Sequence, residues 1–320
     1  MNTGVQERRS ERLSSAVDGH VHPAARSRGA RLSSWSVPYL FLLPALVIYC
    51  VFLVYPLLDS LSISLTNWDG LSPSRSFVGL ANYGHIFHDP IAITAFENNL
   101  IWTAVTLVVP TILGLLLALG LNRRFRGRTI FRSIFYAPAI LPLVGVAGIW
   151  SWLYDPNVGL INTTLRHVGL GGLAQSWLGS PSTALPSVMV AAIWQSLGFP
   201  MVLYLAGLQG IPAEQHEAAR VDGATAWQRF WYITLPLLRE THIIVITLGV
   251  IGSFKVFDLI YAMTYGGPGQ ATQVLASWMY FNTFQYYHAG YGSALAWVIA
   301  AISLIVTIPY IRVMSRRSGT

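Results

Sequence analysis

The sequence predicts an all-α integral membrane protein with six transmembrane helices and both termini in the cytoplasm. Three observations lead there. Hydrophobic residues make up 53% of the chain and charged residues 10%, against about 25% charged in a soluble domain. Six apolar runs are each long enough for a span, which takes about 20 residues. Finally, 17 of the 20 basic residues fall on one side of those runs. The net charge of +7 therefore reads as topology and not as nucleic-acid binding. Cys50 is the only cysteine, so the chain has no internal disulfide.

Residues 1–34 are polar and carry Arg8, Arg9, Arg12, Arg26, Arg28 and Arg31. No apolar core lies near the start, as a cleaved signal peptide would require. The stretch reads as a disordered cytoplasmic tail, with a polybasic contact to anionic membrane lipid as the functional alternative. Residues 35–314 form the membrane domain. Its spans are expected at 39–61, 100–121, 134–153, 184–208, 243–263 and 294–314. The fourth is the least apolar and holds Gln195, Ser196, Gly198 and Pro200. Trp35, Trp68, Trp102, Trp152 and Trp177 lie near run ends, as interfacial aromatics do.

Arginine placement sets the orientation. Beyond the tail, Arg123, Arg124, Arg126, Arg128 and Arg132 follow the second run. Arg220, Arg229 and Arg239 follow the fourth, and Arg312, Arg316 and Arg317 end the chain. The opposite side has only Arg75 and Arg166. By the positive-inside rule the loop at 212–236 and a short tail at 315–320 are cytoplasmic.

That loop is the longest polar interruption in the membrane domain. Pro212 suits a helix start, and Asp222-Gly223 supplies a turn with a residue free to go left-handed. Thr225, three before Gln228, reads as a capping box opening a second helix. Pro236 ends or kinks the pattern. The unit is helix, turn, helix, but its acidic and basic residues balance, so it has no DNA-binding face. What remains is a small-residue surface, Ala218-Ala219, flanked by Glu217. Such a surface suits a helix lying in a partner's groove; an ordinary interfacial loop is the plainer reading.

Catalytic and cofactor signals are lacking. Lys255 is the only lysine and follows Phe254, so there is no phosphate loop. The glycines at 169–172 follow no predicted strand and read as a turn. His20 with His22, and His85 with His88, lack Cys or carboxylate company at metal-ligand spacing. The chain reads as a non-enzyme with no cofactor and no metal. Lys255 and Asp258, three apart in the fifth run, would share a helix face and could pair. Two readings stay open: they line a substrate path, or they form a structural salt bridge. Gln195, Glu97, Asn98, Asn99 and Asn282 are further polar candidates, with interhelical hydrogen bonding as the alternative. A stand-alone secondary transporter or channel would need an acidic relay within the spans, and Asp258 is the one clear acid there.

The residues also carry a resemblance. Glu217-Ala218-Ala219, Gly223 after three residues, and Ile233-Thr234-Leu235-Pro236 after nine more resemble the EAA motif of ATP-binding-cassette importer permeases. The segments 77–83, Asn162 with Trp177-Leu178, 257–261 and 264–268 are similar to the carbohydrate branch, maltose or glycerol-3-phosphate type. The resemblance implies a type I importer permease fold in the cell (inner) membrane, moving a sugar, oligosaccharide or sugar-phosphate-like solute inward. It implies a second permease subunit, two cytoplasmic ATPase subunits and an extracytoplasmic solute-binding protein as partners. Glu217, Ala218, Ala219, Asp222, Gly223, Leu235 and Pro236 would then couple to an ATPase. Gln195, Lys255, Asp258, Tyr261 and Asn282 are the candidate substrate path. The chain lacks the extra spans and large outer domain of the maltose permease and matches the shorter six-span members.

Overall fold

A computed structural model describes residues 36–123 and 125–316. The tail at 1–34, Trp35, Arg124 and residues 317–320, with the expectations placed on them, lie outside the described residues. The described residues are almost all helix or connecting turn. The chain divides into two compact units, Met1–Pro56 and Leu57–Thr320.

In the first unit, the helix Ser36–Tyr49 passes into a π-helical turn, Cys50–Val54. The Tyr55 amide reaches back five residues to the Cys50 carbonyl. Pro56, next in the chain, has no N–H and its ring crowds the carbonyl four residues earlier. A wider turn just before it relieves that crowding. The same solution recurs in the second unit, where the π-turn Phe230–Thr234 stands two residues before Pro236.

Phe41–Ser64, Pro90–Leu121, Pro181–Gln209 and Ala289–Tyr310 are long and apolar enough to cross a membrane, with mean hydropathy from 1.7 to 2.4. Two further candidates are bent pairs: Arg128–Ile140 with Leu143–Leu153, at 101°, and Ala226–Leu237 with Arg239–Phe254, at 64°. By length and composition there are thus four spans, or up to six if each pair counts once.

Two breaks correct the sequence reading, the 101° bend and a separate interruption after Phe254. The expected third span, 134–153, is broken because Pro142 drives Leu141 out of the helical region, to φ −70° and ψ 138°. The expected fifth span, 243–263, is broken as well. Its helix stops at Phe254, Phe257 sits at φ −147° and ψ −55°, and a short helix restarts at Asp258–Thr264.

Within the second unit, helices pack closely where glycine permits it. A Cβ on Gly114 would stand 2.8 Å from Pro200 Cβ, and one on Gly198 2.7 Å from the Phe135 carbonyl oxygen. One apolar cluster gathers Trp102, Val146, Val188, Met189 and Ile260; another gathers Ala118, Met201, Tyr204 and Leu238. Arg132 donates 2.8 Å to the Leu121 carbonyl, satisfying an orphan acceptor at a helix C-terminus with a cation. Elsewhere large apolar side chains face outward, including Ile130, Ile140, Val144 and Ile305. That surface suits hydrocarbon, not water.

Candidate functional site

Three features position polar chemistry in this apolar chain. The first is a cavity of about 560 Å³. It opens where the Arg239–Phe254 helix breaks and where the two halves of the Pro181–Gln209 helix meet. Gln195, Lys255 and Asp258 line it together with the rings of Trp102, Tyr136 and Phe199. Lys255 and Asp258 do not share a helix face, because Lys255 caps one helix and Asp258 begins the next. Among the described residues they form no salt bridge, and Arg75–Asp59, at 3.1 Å, does. Of the two readings left open for this pair, the salt bridge is not formed among the described residues: the helix break separates the two groups and both are exposed at the cavity. Trp102, expected at an interface, is 4% exposed and lines the cavity instead.

Tyr261 and Asn282 do not line this cavity. Tyr261 sits in an aromatic cluster, its ring 5.1 Å from Phe257 and 5.3 Å from Tyr280. Asn282 is buried and donates 2.9 Å to the Trp278 carbonyl. Asn98 donates to the carbonyls of Ala271 and Gln273, and the Leu275 amide donates to Asn99. These two asparagines tie the long helix to the segment at 271–275.

The second feature is the loop at 212–236. Its first helix, Ala213–Val221, buries none of its residues. Gly223 lies at φ +80°. The Ala224 amide donates 2.8 Å to Ala219 and the Gly223 amide 3.1 Å to Arg220, which together make a Schellman cap. The Thr225–Gln228 capping box is formed in both directions, at 3.2 and 2.8 Å. Glu217 and Ala218 are exposed and Ala219 partly so. Val221 is 88% and Trp227 69% exposed, so the loop offers apolar surface beside its carboxylate. Leu235 is half-buried and Pro236 exposed, and the chain re-enters the core at Thr234 and Leu238. Pro236 does not itself mark the bend; that falls at Leu238, at φ −79° and ψ 4°.

The third feature is the set of loops at 65–89, 154–180 and 265–288, held by short polar clasps. Asn82 donates to the Ser64 and Thr66 carbonyls, at 2.8 and 2.7 Å. Asn162 donates to Pro156 and Gln175 and accepts from the Trp177 indole at 2.8 Å. The Ser72 hydroxyl and nearby amides hold the Asp69 carboxyl down at about 2. Amides of Val158 and Asn157 lower that of Asp155. The resemblance flagged several of these residues; the bonds they make had no signal in the sequence.

Over residues 110–317 the chain matches the family described as "Binding-protein-dependent transport system inner membrane component". It is 39% identical over 277 residues to a probable ABC transporter permease protein of Pyrococcus horikoshii, covering 86% of this chain and 95% of that one. It is 35% identical over 297 residues to the trehalose/maltose transport system permease protein of Thermococcus litoralis, covering 93% and 98%. Among solved structures it resembles a chain of a bacterial alginate ABC transporter in complex with an alginate pentasaccharide-bound periplasmic protein. There the TM-score is 0.78 and the identity 25%, over 88% of this chain and 94% of that one.

Proposed function

The chain belongs to the family of binding-protein-dependent transport system inner membrane components, and from that premise we propose that it carries a sugar or oligosaccharide inward through the cavity at Gln195, Lys255 and Asp258. The observation that carries this reading is the cavity itself. Pockets for small molecules occupy about 300–1,000 Å³ and combine apolar walls with a few placed polar groups. This one, about 560 Å³, sets Gln195, Lys255 and Asp258, with threonine and serine hydroxyls, among aromatic rings at a helix break. Irregular backbone at membrane depth is tolerated where it is buried in protein or lines a water-filled space. Sugars suit such a lining, with hydroxyls for the polar groups and C–H faces for the rings. The carbohydrate substrates named for the relatives support the same class. Membership in a binding-protein-dependent family replaces the stand-alone transporter reading.

Two ATPase subunits, a second permease and a solute-binding protein complete the machine on this reading. Each of six spans crosses once, with both termini in the cytoplasm, as the arginine distribution supports. The loop at 212–236 then faces the cytoplasm. Glu217 offers a charge-assisted contact to an ATPase, Ala218 and Ala219 allow close packing, and Gly223 holds the turn. ATP shifts the population toward an outward-open state only as far as it binds that state better. No bond in the sugar is made or broken by this chain.

Reconstitution tests the proposal. Proteoliposomes holding the permease with its partner subunits should accumulate labelled sugar only with ATP on the ATPase side and binding protein on the other. Accumulation driven by a proton or sodium gradient without ATP would overturn it.

A further inference from the structure

A second cavity, of about 510 Å³, lies apart from the first and shares none of its lining residues. We propose that it is an additional sugar subsite, an entry station that holds one pyranose ring before the solute reaches the inner cavity. This rests on the sugar-importer reading and adds a second place where the sugar binds.

The pocket is built by three separate stretches: the start of the loop at 65–89, the end of that loop with the turn before the Pro90–Leu121 helix, and the chain from Trp278 in Leu275–Tyr280 to Tyr291 in the last helix. Its floor is fixed. The Trp278 indole and the Tyr291 hydroxyl both donate to Asp89 Oδ2, at 2.7 and 2.6 Å, and the Ile91 amide donates to Oδ1 at 2.9 Å. Trp278, Tyr291, Asn282 and Asp89 are all buried. Burial alone would push the Asp89 carboxyl up. The Tyr291 and Trp278 donors, with the Ile91 and Ala92 amides, outweigh burial and hold it below the ordinary value.

The rim differs from the floor. Asn67, His85 and His288 are exposed, and none of the three side chains forms a hydrogen bond within the described residues. Tyr286 is 46% exposed, with its ring edge-on to Trp278 at 5.8 Å. Trp68 is held in place by its indole bond to the Ser72 carbonyl and by Arg75, 4.2 Å from the ring centre. The result is fixed aromatic surface ringed by free donors and acceptors. A pyranose has a matching division, an apolar C–H face and an equatorial belt of hydroxyls. The one carboxylate is occupied by its own donors, so the free polar groups among the described residues are the Asn67 amide, the His85 and His288 imidazoles and the Tyr286 hydroxyl. His88 is engaged at Nδ1 by the Gly84 carbonyl. This set suits hydroxyls. The volume falls within the range of about 300–1,000 Å³ for small-molecule sites. Rigid rings and a preformed floor lower the ordering cost of binding.

The test uses the assembled permease in nanodiscs, where both faces are accessible. Cys50 is the only native cysteine, so a Cys50→Ser, His288→Cys variant places one thiol at the rim. Its reaction with a fluorescent maleimide is followed with maltose, trehalose or a uronic-acid disaccharide as the probe. A sugar that fills the pocket should slow labelling about tenfold at roughly ten times its dissociation constant. Tyr286→Ala or Asn67→Ala should raise the sugar concentration needed, and Lys255→Met should not. Protection that survives Tyr286→Ala but vanishes with Lys255→Met would assign it to the inner cavity and overturn the proposal. Sugar uptake with no protection by the transported sugar would overturn the entry station alone. Failure to take up any sugar would sink the underlying reading, and this inference with it.

Discussion

Replacing Gly223 separates backbone conformation from side-chain bulk at the proposed ATPase contact. Gly223 sits at φ +80°, and a Cβ built there meets nothing within 4 Å. Substitution therefore has no steric cost inside the chain and acts on the backbone alone. A left-handed conformation costs an L-residue roughly 1–2 kcal/mol. Asn tolerates it better than other side chains, and β-branched residues tolerate it worst. If docking requires the Schellman turn, the bound state must re-form it each time. The affinity of the permease for its ATPase should then fall about 5–30-fold in Gly223→Ala, the factor that 1–2 kcal/mol supplies. Gly223→Asn should stay near the original value, and Gly223→Val should fall further than Ala. Binding of the purified ATPase to nanodisc-held permease measures the series, and uptake should follow the same order. Equal loss in Asn, Ala and Val would refute the reasoning, since it would show that any Cβ at the contact, and not φ, is what the partner rejects. Unchanged affinity throughout would remove this turn from the interface.

Three further outcomes are expected. Lys255→Met should impair uptake, and adding Asp258→Leu should not restore it, because a helix break separates the two groups and no ion pair joins them; rescue in a transport assay would return the pair to a structural role. Asp89→Ala leaves the Tyr291 hydroxyl and Trp278 indole buried without their acceptor, at about 1–3 kcal/mol each, and should lower the thermal midpoint in detergent. Because the folded Asp89 carboxyl lies below its ordinary value, its stabilisation is complete above the unfolded value, near 3.8, and is lost as pH falls through the folded one; Asp89→Asn should flatten that acid limb of the melting profile. Gly198→Ala brings a methyl within 2.7 Å of the Phe135 carbonyl oxygen and should destabilise the helix pair by about 1–3 kcal/mol, read as reduced folded yield and a lower midpoint, while Gly120→Ala, which meets nothing within 4 Å, should not.

What the sequence disclosed was what neighbouring residues decide. The loop at 212–236 was legible because its signals span only a few residues: proline at the start, Asp222-Gly223 at the stop, Thr225 and Gln228 as a box. The break at Leu141 was present in the sequence as Pro142, but a proline inside an apolar run does not by itself separate a kinked span from a broken one. The break at Lys255 has no proline beside it. Phe257 is held out of helix where its ring packs 5.1 Å from Tyr261 and 5.1 Å from Tyr280, and the second of these contacts spans 23 positions of chain. The cavity was illegible for the same reason. Trp102, Tyr136, Phe199 and Lys255 come from four helical segments and meet only through packing. The asparagine clasps at 82 and 162 were flagged by resemblance, but their acceptors are carbonyls, which the side-chain sequence does not mark.

The break at Lys255 also bears on how a cytoplasmic event would reach the sugar. The helix Ala213–Val221 buries none of its residues, and only His216 and Ala219 are partly covered. Beyond the turn, the chain re-enters the core at Thr234 and at the fully buried Leu238. There it bends by 64° into Arg239–Phe254. That helix of 16 residues is about 24 Å long at 1.5 Å per residue, and its far end is Lys255, on the cavity. On the proposed reading, a push on the exposed loop passes the bend at Leu238 and runs along this helix to the break. At the break the regular ladder stops: the Lys255 and Val256 amides reach back only three residues, to Gly252 at 3.2 Å and Ser253 at 3.4 Å. A continuous helix through 243–263, as the apolar pattern suggests, would have carried the displacement past the cavity to the outer loop. The interruption concentrates it where Lys255 and Asp258 sit, on opposite sides of the hinge. On the proposed reading, a movement of the loop changes the separation of these two charges across the break.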